Sequence, residues 1–367
     1  MAYEGPIRVL HVVRPAAGGI RQHVIDLIRH TPPDEVMHAV AAPEDFLGGL
    51  PSDLPLLSCL PLDIAESVHP VRDMKAAMQL ATPARNDFEV VHAHGLRAAW
   101  VASIARKTRR FTLMATSHNL VPASNASKTG LAFIAGQVAG IVAVSPAVEQ
   151  SLVNVGVPKD MIFVVPNGVD CDAIAAACED AEVRAAFRAE MMIQPRTFVV
   201  GCVARLSREK GVDVLIRAAY DMPDVMFLVA GDGPEREALQ VTAHPNVRLL
   251  GRLEDVKPML AGVDAFLAPS REEGQGIAVL EAMAAGVPIV ASNVGGLGHM
   301  LTDGKNALLT QVADARAIVV ALRRLQSTPA LRTKLTDGAR FLVRDTYHVK
   351  EASSGVLDIY RELCGIE

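Results

Sequence analysis

The sequence predicts an α/β protein of two doubly wound domains, each a parallel sheet covered by helices on both faces. Short apolar runs alternate with segments of helical periodicity along nearly the whole chain. Several runs, such as Gly140-Ile-Val-Ala-Val144, are apolar throughout, which is the pattern of a strand buried on both faces. With 367 residues, half of them apolar, the chain exceeds what one hydrophobic core usually organises.

Residues 7–13 read as a buried strand, followed by Ala-Ala-Gly18-Gly19 and a helical pattern from Ile20 to Ile28. Further strands are expected at 36–42, 89–93, 111–116, 140–144 and 161–165. After Asn167-Gly-Val-Asp170 the composition turns Ala- and charge-rich over 172–190, read as helix with a flexible start and as the hinge between domains 1–168 and 169–345. A second series follows, with strands 197–204, 225–230, 247–250, 264–268 and 288–292 alternating with helices 212–219, 234–241, 255–260 and 276–285. Helical patterns at 313–325, 331–343 and 352–363 close the chain. No tandem repeat is visible, so the halves are domains rather than a solenoid.

The net charge is -5, and the acidic excess lies wholly after residue 168. Nucleic-acid binding rests on neutralising phosphates with Lys and Arg, so nucleic acid is not an expected partner. One basic run, Arg106, Lys107, Arg109 and Arg110, fits either a solvated helix end or peripheral contact with anionic lipid headgroups. The five cysteines, Cys59, Cys171, Cys178, Cys202 and Cys364, show no C-x-x-C pair, which suits free thiols in a reducing compartment. The opening Met-Ala-Tyr-Glu-Gly-Pro has no basic region, and the apolar stretch Leu131 to Val144 is too short to span a bilayer. A cytoplasmic protein, at most peripheral to the inner membrane face, is the expectation.

The most informative stretch is Ala268-Pro-Ser-Arg-Glu-Glu273-Gly274-Gln275-Gly276-Ile277-Ala-Val-Leu-Glu281, where a strand end meets a glycine turn and a helix start. Free amides at a helix N-terminus form an anion site, and glycine lets phosphate approach the backbone. Glu281 lies inside the helix among apolar residues and needs partners there; sugar and ribose hydroxyls are suitable donors. Taken singly, each glutamate also fits a solvated or lysine-paired side chain. The second constellation is Arg205-Leu-Ser-Arg-Glu-Lys210-Gly211, directly after a strand. Arg205 suits bidentate contact with a diphosphate and Lys210 acts as a point charge. A charged surface loop is the plainer reading of that segment alone, but open α/β sheets bind ligands beyond the carboxyl ends of their strands, where both loops lie.

Together with Gly18-Gly19, His92-Ala-His94-Gly95, Thr116-Ser-His118-Asn119, Asn167-Gly-Val-Asp170 and Gly231-Asp-Gly233, these segments make the chain resemble the retaining glycosyltransferases of family 4 over nearly its whole length. Glu273 and Glu281 stand at the separation of the family's glutamate pair. The resemblance implies the GT-B architecture, two Rossmann-like domains facing a central cleft, with the helix in 346–367 returning to the N-terminal domain. It implies that Arg205 and Lys210 bind the donor diphosphate, that Glu273, Gly274, Gln275, Gly276 and Ile277 address the sugar and phosphates, and that Glu281 contacts the ribose. By the same resemblance Arg252 and Leu253 lie beside the base, and Gly18 and Gly19 face the cleft from the other domain. Gln275 stands where many members carry an aromatic residue, Ala307 where a second glycine is common, and Pro146 where an acidic or small residue is usual.

Eight of the eleven histidines precede residue 168. His92 and His94 alternate along a strand and are expected on opposite faces, so that only one reaches the cleft. His94 and His118 are the candidates, and His118 resembles the family histidine that contacts the sugar near its reacting carbon. No H-E-x-x-H is present and no D-x-D stands in a loop where a metal could bridge the donor phosphates, so no metal or other cofactor is expected. The implied reaction moves a hexosyl group from a nucleotide-diphosphate sugar to a hydroxyl of a saccharide or lipid-linked acceptor, with UDP-sugars ahead of GDP-sugars and bacterial polysaccharide or glycolipid synthesis as the setting. A nucleotide-sugar epimerase of the same architecture, which needs no acceptor, and a non-catalytic donor-binding partner are the alternatives.

Overall fold

The computed structural model describes residues 5–15, 18–65, 67–86, 88–108 and 111–366. Arg109 and Arg110 of the basic run lie outside the described residues. The chain divides into two compact units, Met1–Gly168 with Val349–Glu367, and Val169–His348.

The first unit holds β1 (Ile7–Val13), β2 (Val36–Ala42), β3 (Leu56–Pro61), β4 (Val90–His94), β5 (Thr112–Ser117), β6 (Gly140–Ala143) and β7 (Ile162–Val164), in the order β3-β2-β1-β4-β5-β6-β7. The second holds β8 (Phe198–Val203), β9 (Val225–Ala230), β10 (Val247–Gly251), β11 (Ala265–Ala268), β12 (Ile289–Ser292) and β13 (Leu308–Thr310), in the order β10-β9-β8-β11-β12-β13. Every pairing in both sheets is parallel. Central strands are buried from end to end, β4 and β11 among them, because helices cover both faces. In each sheet the chain reverses its direction of travel at one place, between β1 and β4 and between β8 and β11. Those switch points are where loops on neighbouring strands splay apart and leave room for a ligand.

Two strands lie beyond the expected set. β3 is a largely exposed edge strand, Leu-Leu-Ser-Cys-Leu-Pro, whose short apolar run is broken by Ser58 and bounded by Pro55 and Pro61. β13 has only three residues, Leu308–Thr310. The stretch 172–190 is two helices, Cys171–Glu179 and Ala181–Glu190, rather than one with a flexible start. The Asp170 carboxylate accepts from Ala173 N at 3.0 Å and fixes the first start; Asp180 accepts from Glu182 N at 2.8 Å and begins the second.

The helix Val349–Cys364 packs in the first unit, where Val356, Ile359 and Tyr360 are buried with Val9, Val90 and Met114. Arg361 pairs with Glu35 beside β2. The crossing falls at His348/Val349, three residues later than the sequence suggests, because Tyr347 O accepts from Val169 N at 3.0 Å and holds that segment in the second unit. Among the described residues no helix is long and apolar enough to cross a membrane.

Candidate functional site

In the second unit the loops after β8 and β11 are neighbours because their strands are paired. Lys210 Nζ donates to both oxygens of Glu273, at 2.7 and 2.9 Å, and Ser270 Oγ donates to Glu273 Oε2 at 3.1 Å. Both chains of the pair are mostly shielded, with 23% and 12% of the side chain exposed. The loops are also stitched through their backbones: Arg271 N and Glu272 N donate to Glu209 O at 2.7 and 3.1 Å. Arg271 adds a bidentate pair to Asp213 at 2.6 and 2.7 Å, and that guanidinium holds the Asp213 carboxyl below its ordinary value.

Glycine is required at two turns of this site. Gly211 adopts φ +67, and a Cβ there would lie 2.1 Å from Pro269 O, so the β8 loop can press against the β11 loop only without a side chain. Gly276 takes φ +96 as the N-cap of the helix Ile277–Ala284. That turn aims the Ile277 and Ala278 amides out of the helix start, where no intrahelical acceptor exists for them. A helix start beside a loop that carries Lys210 and Arg205 is an arrangement that can hold an anion with amides and side-chain cations.

Of the expected donor residues, Lys210, Glu273, Gly274, Gln275, Gly276 and Ile277 therefore share one loop pair. Gln275 is 3% exposed. Arg205 stands exposed just past β8, and its charge helps to lower the Glu209 carboxyl. Glu281 lies half-buried one turn into the helix. Arg252, exposed, and Leu253, half-buried, follow β10, two strands from β8, or about 10 Å at ordinary strand spacing. No hydrogen bond joins them to the Lys210–Glu273 pair among the described residues. Gly231-Asp-Gly233 ties the β9 loop to the β8 loop instead: Leu206 N donates to Asp232 O at 3.0 Å and Glu235 N to Leu206 O at 2.9 Å. Cys202 on β8 lies behind the site, and burial pushes its thiol up to about 12, which leaves it protonated and inert.

In the first unit, Gly18 at φ +68 ends the β1 loop and opens the helix Gly19–His30. His94 ends β4 and His118 follows β5, so all three lie at the same sheet edge as the switch point. His92 and His94 do not point to opposite faces. Their rings lie 4.1 Å apart, because residues two apart on a strand share a face. Both are fully buried. His92 shares hydrogen bonds with Tyr360 OH at 2.7 Å and Thr116 Oγ1 at 2.6 Å. His94 Nε2 pairs with His11 Nδ1 at 2.9 Å, and His11 Nε2 with His38 Nδ1 at 2.9 Å. A wholly buried His94 thus stands behind His118 rather than on the surface that a sugar would touch. His118 is half-buried, stacked on His94 at 6.1 Å and edge-on to His23 at 5.0 Å. Burial, then the neighbouring rings, holds His11, His92 and His94 well below the usual imidazole range; His118 is lowered by burial, by His23 and His92, and by Arg14. His11, His23 and His38 were not singled out from sequence; the signal was there in an unusual crowd of histidines on alternating strand positions.

Comparison with known proteins places these features in a family. The profile described as Glycosyltransferase Family 4 matches residues 17–173, and that described as Glycosyl transferases group 1 matches residues 197–328. The D-inositol 3-phosphate glycosyltransferase of Xylanimonas cellulosilytica is 30% identical over 305 residues, 75% of this chain and 72% of its own length. The lipopolysaccharide core biosynthesis glycosyltransferase LpsD of Rhizobium meliloti is 31% identical over 178 residues, 47% of this chain and 52% of its own length. The aligned part thus spans about half of that relative. Among solved structures, Anabaena HepE in complex with UDP-glucose has the same fold, GT-B, with a TM-score of 0.83 at 19% identity over 97% of this chain and 100% of its own.

Proposed function

We propose a reaction for this chain, which belongs to glycosyltransferase family 4: transfer of a hexosyl group, with retention of configuration, from a nucleoside-diphosphate sugar to a hydroxyl of a saccharide or lipid-linked acceptor. The observation that carries it is the Lys210–Glu273 pair at the β8/β11 switch point, set against the start of the helix Ile277–Ala284.

The chemistry follows from charge. Departure of the sugar leaves negative charge on the outer phosphate, and positive groups fixed in advance stabilise it without reorganising. Lys210 reaches that phosphate as a point charge, Arg205 as a two-pronged donor, and the Ile277 and Ala278 amides from the helix start. Glu273 aims Lys210 and accepts from sugar hydroxyls with the lone pairs that Lys210 and Ser270 leave over. A carboxylate already held by two donors is a poor nucleophile, so the acceptor hydroxyl attacks on the face the phosphate leaves, giving its proton to that phosphate. Glu281 takes the ribose, Arg252 and Leu253 flank the base, and Gly18 and Gly19 with His118 supply the sugar side, with His94 behind His118. Uridine is the preferred donor base, with guanosine as the alternative, on the prevalence of uridine donors in the family. The lipopolysaccharide and inositol phosphate relatives point to glycoconjugate acceptors, and Arg106 with Lys107 would steady the first unit at a lipid surface.

The test is turnover of a panel of nucleotide sugars with sugar and lipid-linked hydroxyl acceptors, the product anomer being read by proton NMR. Retained configuration, abolished in Glu273→Gln, supports the reading. An inverted product, or an epimerised donor formed without acceptor, overturns it.

A further inference from the structure

We propose that His23, His94 and His118 form a binding site for one divalent transition metal ion, zinc being the best match. One ring nitrogen from each lies within 4.8 Å of those of the other two. The three come from separate elements, the helix Gly19–His30, the end of β4 and the loop after β5, so a single ion would clasp all three.

Unsatisfied nitrogen atoms are concentrated in this trio; among the described residues of the cluster, His38 Nε2 is the other one. His23 Nε2, His94 Nδ1 and both nitrogens of His118 are buried without a hydrogen-bond partner. A buried polar atom left unpaired is costly, and folded proteins rarely keep four together without a ligand to satisfy them. A second trio, His11, His92 and His94, is equally compact, but His92 spends both nitrogens on Tyr360 and Thr116, and His11 both on His94 and His38. Those bonds make His11 and His38 the outer supports of the site. An imidazole whose far nitrogen is already bonded is held in one tautomer and orientation, as metal-bound histidines are.

The chemistry narrows the ion. Burial keeps these rings neutral, the form that ligates. Three imidazoles with no carboxylate select zinc, copper or nickel over magnesium or calcium. Tetrahedral zinc needs its nitrogen ligands about 3.3 Å apart, a modest contraction, and leaves a fourth position for water. Arg14 is the charge that opposes occupancy, since it acts on His118. His23 is 9% exposed and lines a small cavity with Asp26, Gly168 and Ser353, while half-buried His118 is the most open of the three. Binding stands apart from the proposed reaction. Only one consequence rests on it: an ion on His118 withdraws that ring from the sugar, so zinc inhibits transfer reversibly.

The experiment uses the full chain, stripped with chelator and dialysed. Zinc titrated against a chromophoric chelator should bind at one equivalent, and cobalt should give the intense visible bands of a tetrahedral site. X-ray absorption of the zinc-loaded wild type should show three imidazole shells at about 2.0 Å; this needs no variant to fold. His23→Gln and His118→Gln, checked for folding by circular dichroism, should each weaken binding at least 100-fold, beyond the 10- to 100-fold typical of outer supports, while His244→Gln in the second unit changes nothing. Fewer than three imidazoles, or one-equivalent binding that survives both variants, overturns the site. Zinc that binds as described without slowing transfer leaves the site standing and removes His118 from the sugar pocket.

Discussion

Lys210 and Glu273 are 63 residues apart in sequence, yet the ammonium sits 2.7 and 2.9 Å from the two carboxylate oxygens. The pairing exists because β8 and β11 are neighbours at the point where strand order reverses. If that lysine stabilises the leaving phosphate, Lys210→Ala should lower kcat by about 10²- to 10³-fold. The KM for donor should rise less, and the melting temperature should stay near wild type. Steady-state kinetics with a calorimetric scan decide it; kcat within twofold of wild type contradicts the role.

Gly211 and Gly18 share nearly the same φ, +67 and +68, but differ in ψ, 25 and -131, and in surroundings. An added Cβ at 211 meets Pro269 O at 2.1 Å, whereas at 18 nothing lies within 4 Å. Gly18→Ala should therefore cost backbone strain without a clash, about 1–3 kcal/mol for so sparsely populated a conformation. Gly211→Ala should cost more than the about 1–2 kcal/mol of its left-handed conformation and should also loosen the Lys210–Glu273 loop pair, lowering activity and stability together. A Gly211→Ala loss of only about 1–2 kcal/mol in urea melts would show that the contact with Pro269 is unimportant.

Tyr360 joins the C-terminal helix to the first sheet through its 2.7 Å bond with His92 Nδ1. Both groups are fully buried. Tyr360→Phe keeps the packing but strands the imidazole nitrogen, which should cost about 1–3 kcal/mol. A urea midpoint unchanged from wild type would mean that His92 finds another partner.

Burial holds the His23 and His38 rings down at about 4, whereas in the unfolded chain they return to about 6.5. Between those values the unfolded chain binds more protons than the folded one. Stability is thus fully present above pH 6.5 and falls as pH drops toward 4, by about 1.4 kcal/mol per pH unit for each ring. His11 and His92, lowered in the same direction, steepen the loss. Urea midpoints at pH 7.5 and 5.0, with chelator present, measure it, and His38→Gln should flatten the slope. A pH-independent midpoint contradicts the account.

Much of this was legible in the sequence, for physical reasons. Fully buried strands announce themselves as apolar runs, so β1, β2 and the strands of the second sheet through β12 lie within a residue or two of expectation. β3 lies between Pro55 and Pro61, which read as loop, and β13 is too short to show a period, so neither stood out. The loop residues around Gly276 were readable because glycine, glutamate and helix start coincide within one stretch. The Lys210–Glu273 contact and the histidine cluster were not readable, since both depend on which distant strands pair. The placing of His92 and His94 on opposite faces failed on period alone, as a separation of two returns a strand to the same face.

The central claim, that the second unit holds a nucleoside diphosphate at the β8 and β11 loops, is tested most directly by titration calorimetry. The titrants are uridine, guanosine, adenosine and cytidine diphosphates, with chelator present, against wild type, Arg205→Ala and Lys210→Ala. One diphosphate, expected to be UDP, should bind wild type at one equivalent and bind each variant at least tenfold more weakly, about 1.4 kcal/mol or more per lost cation. Binding of equal strength to all three proteins, or none to wild type, would contradict the account.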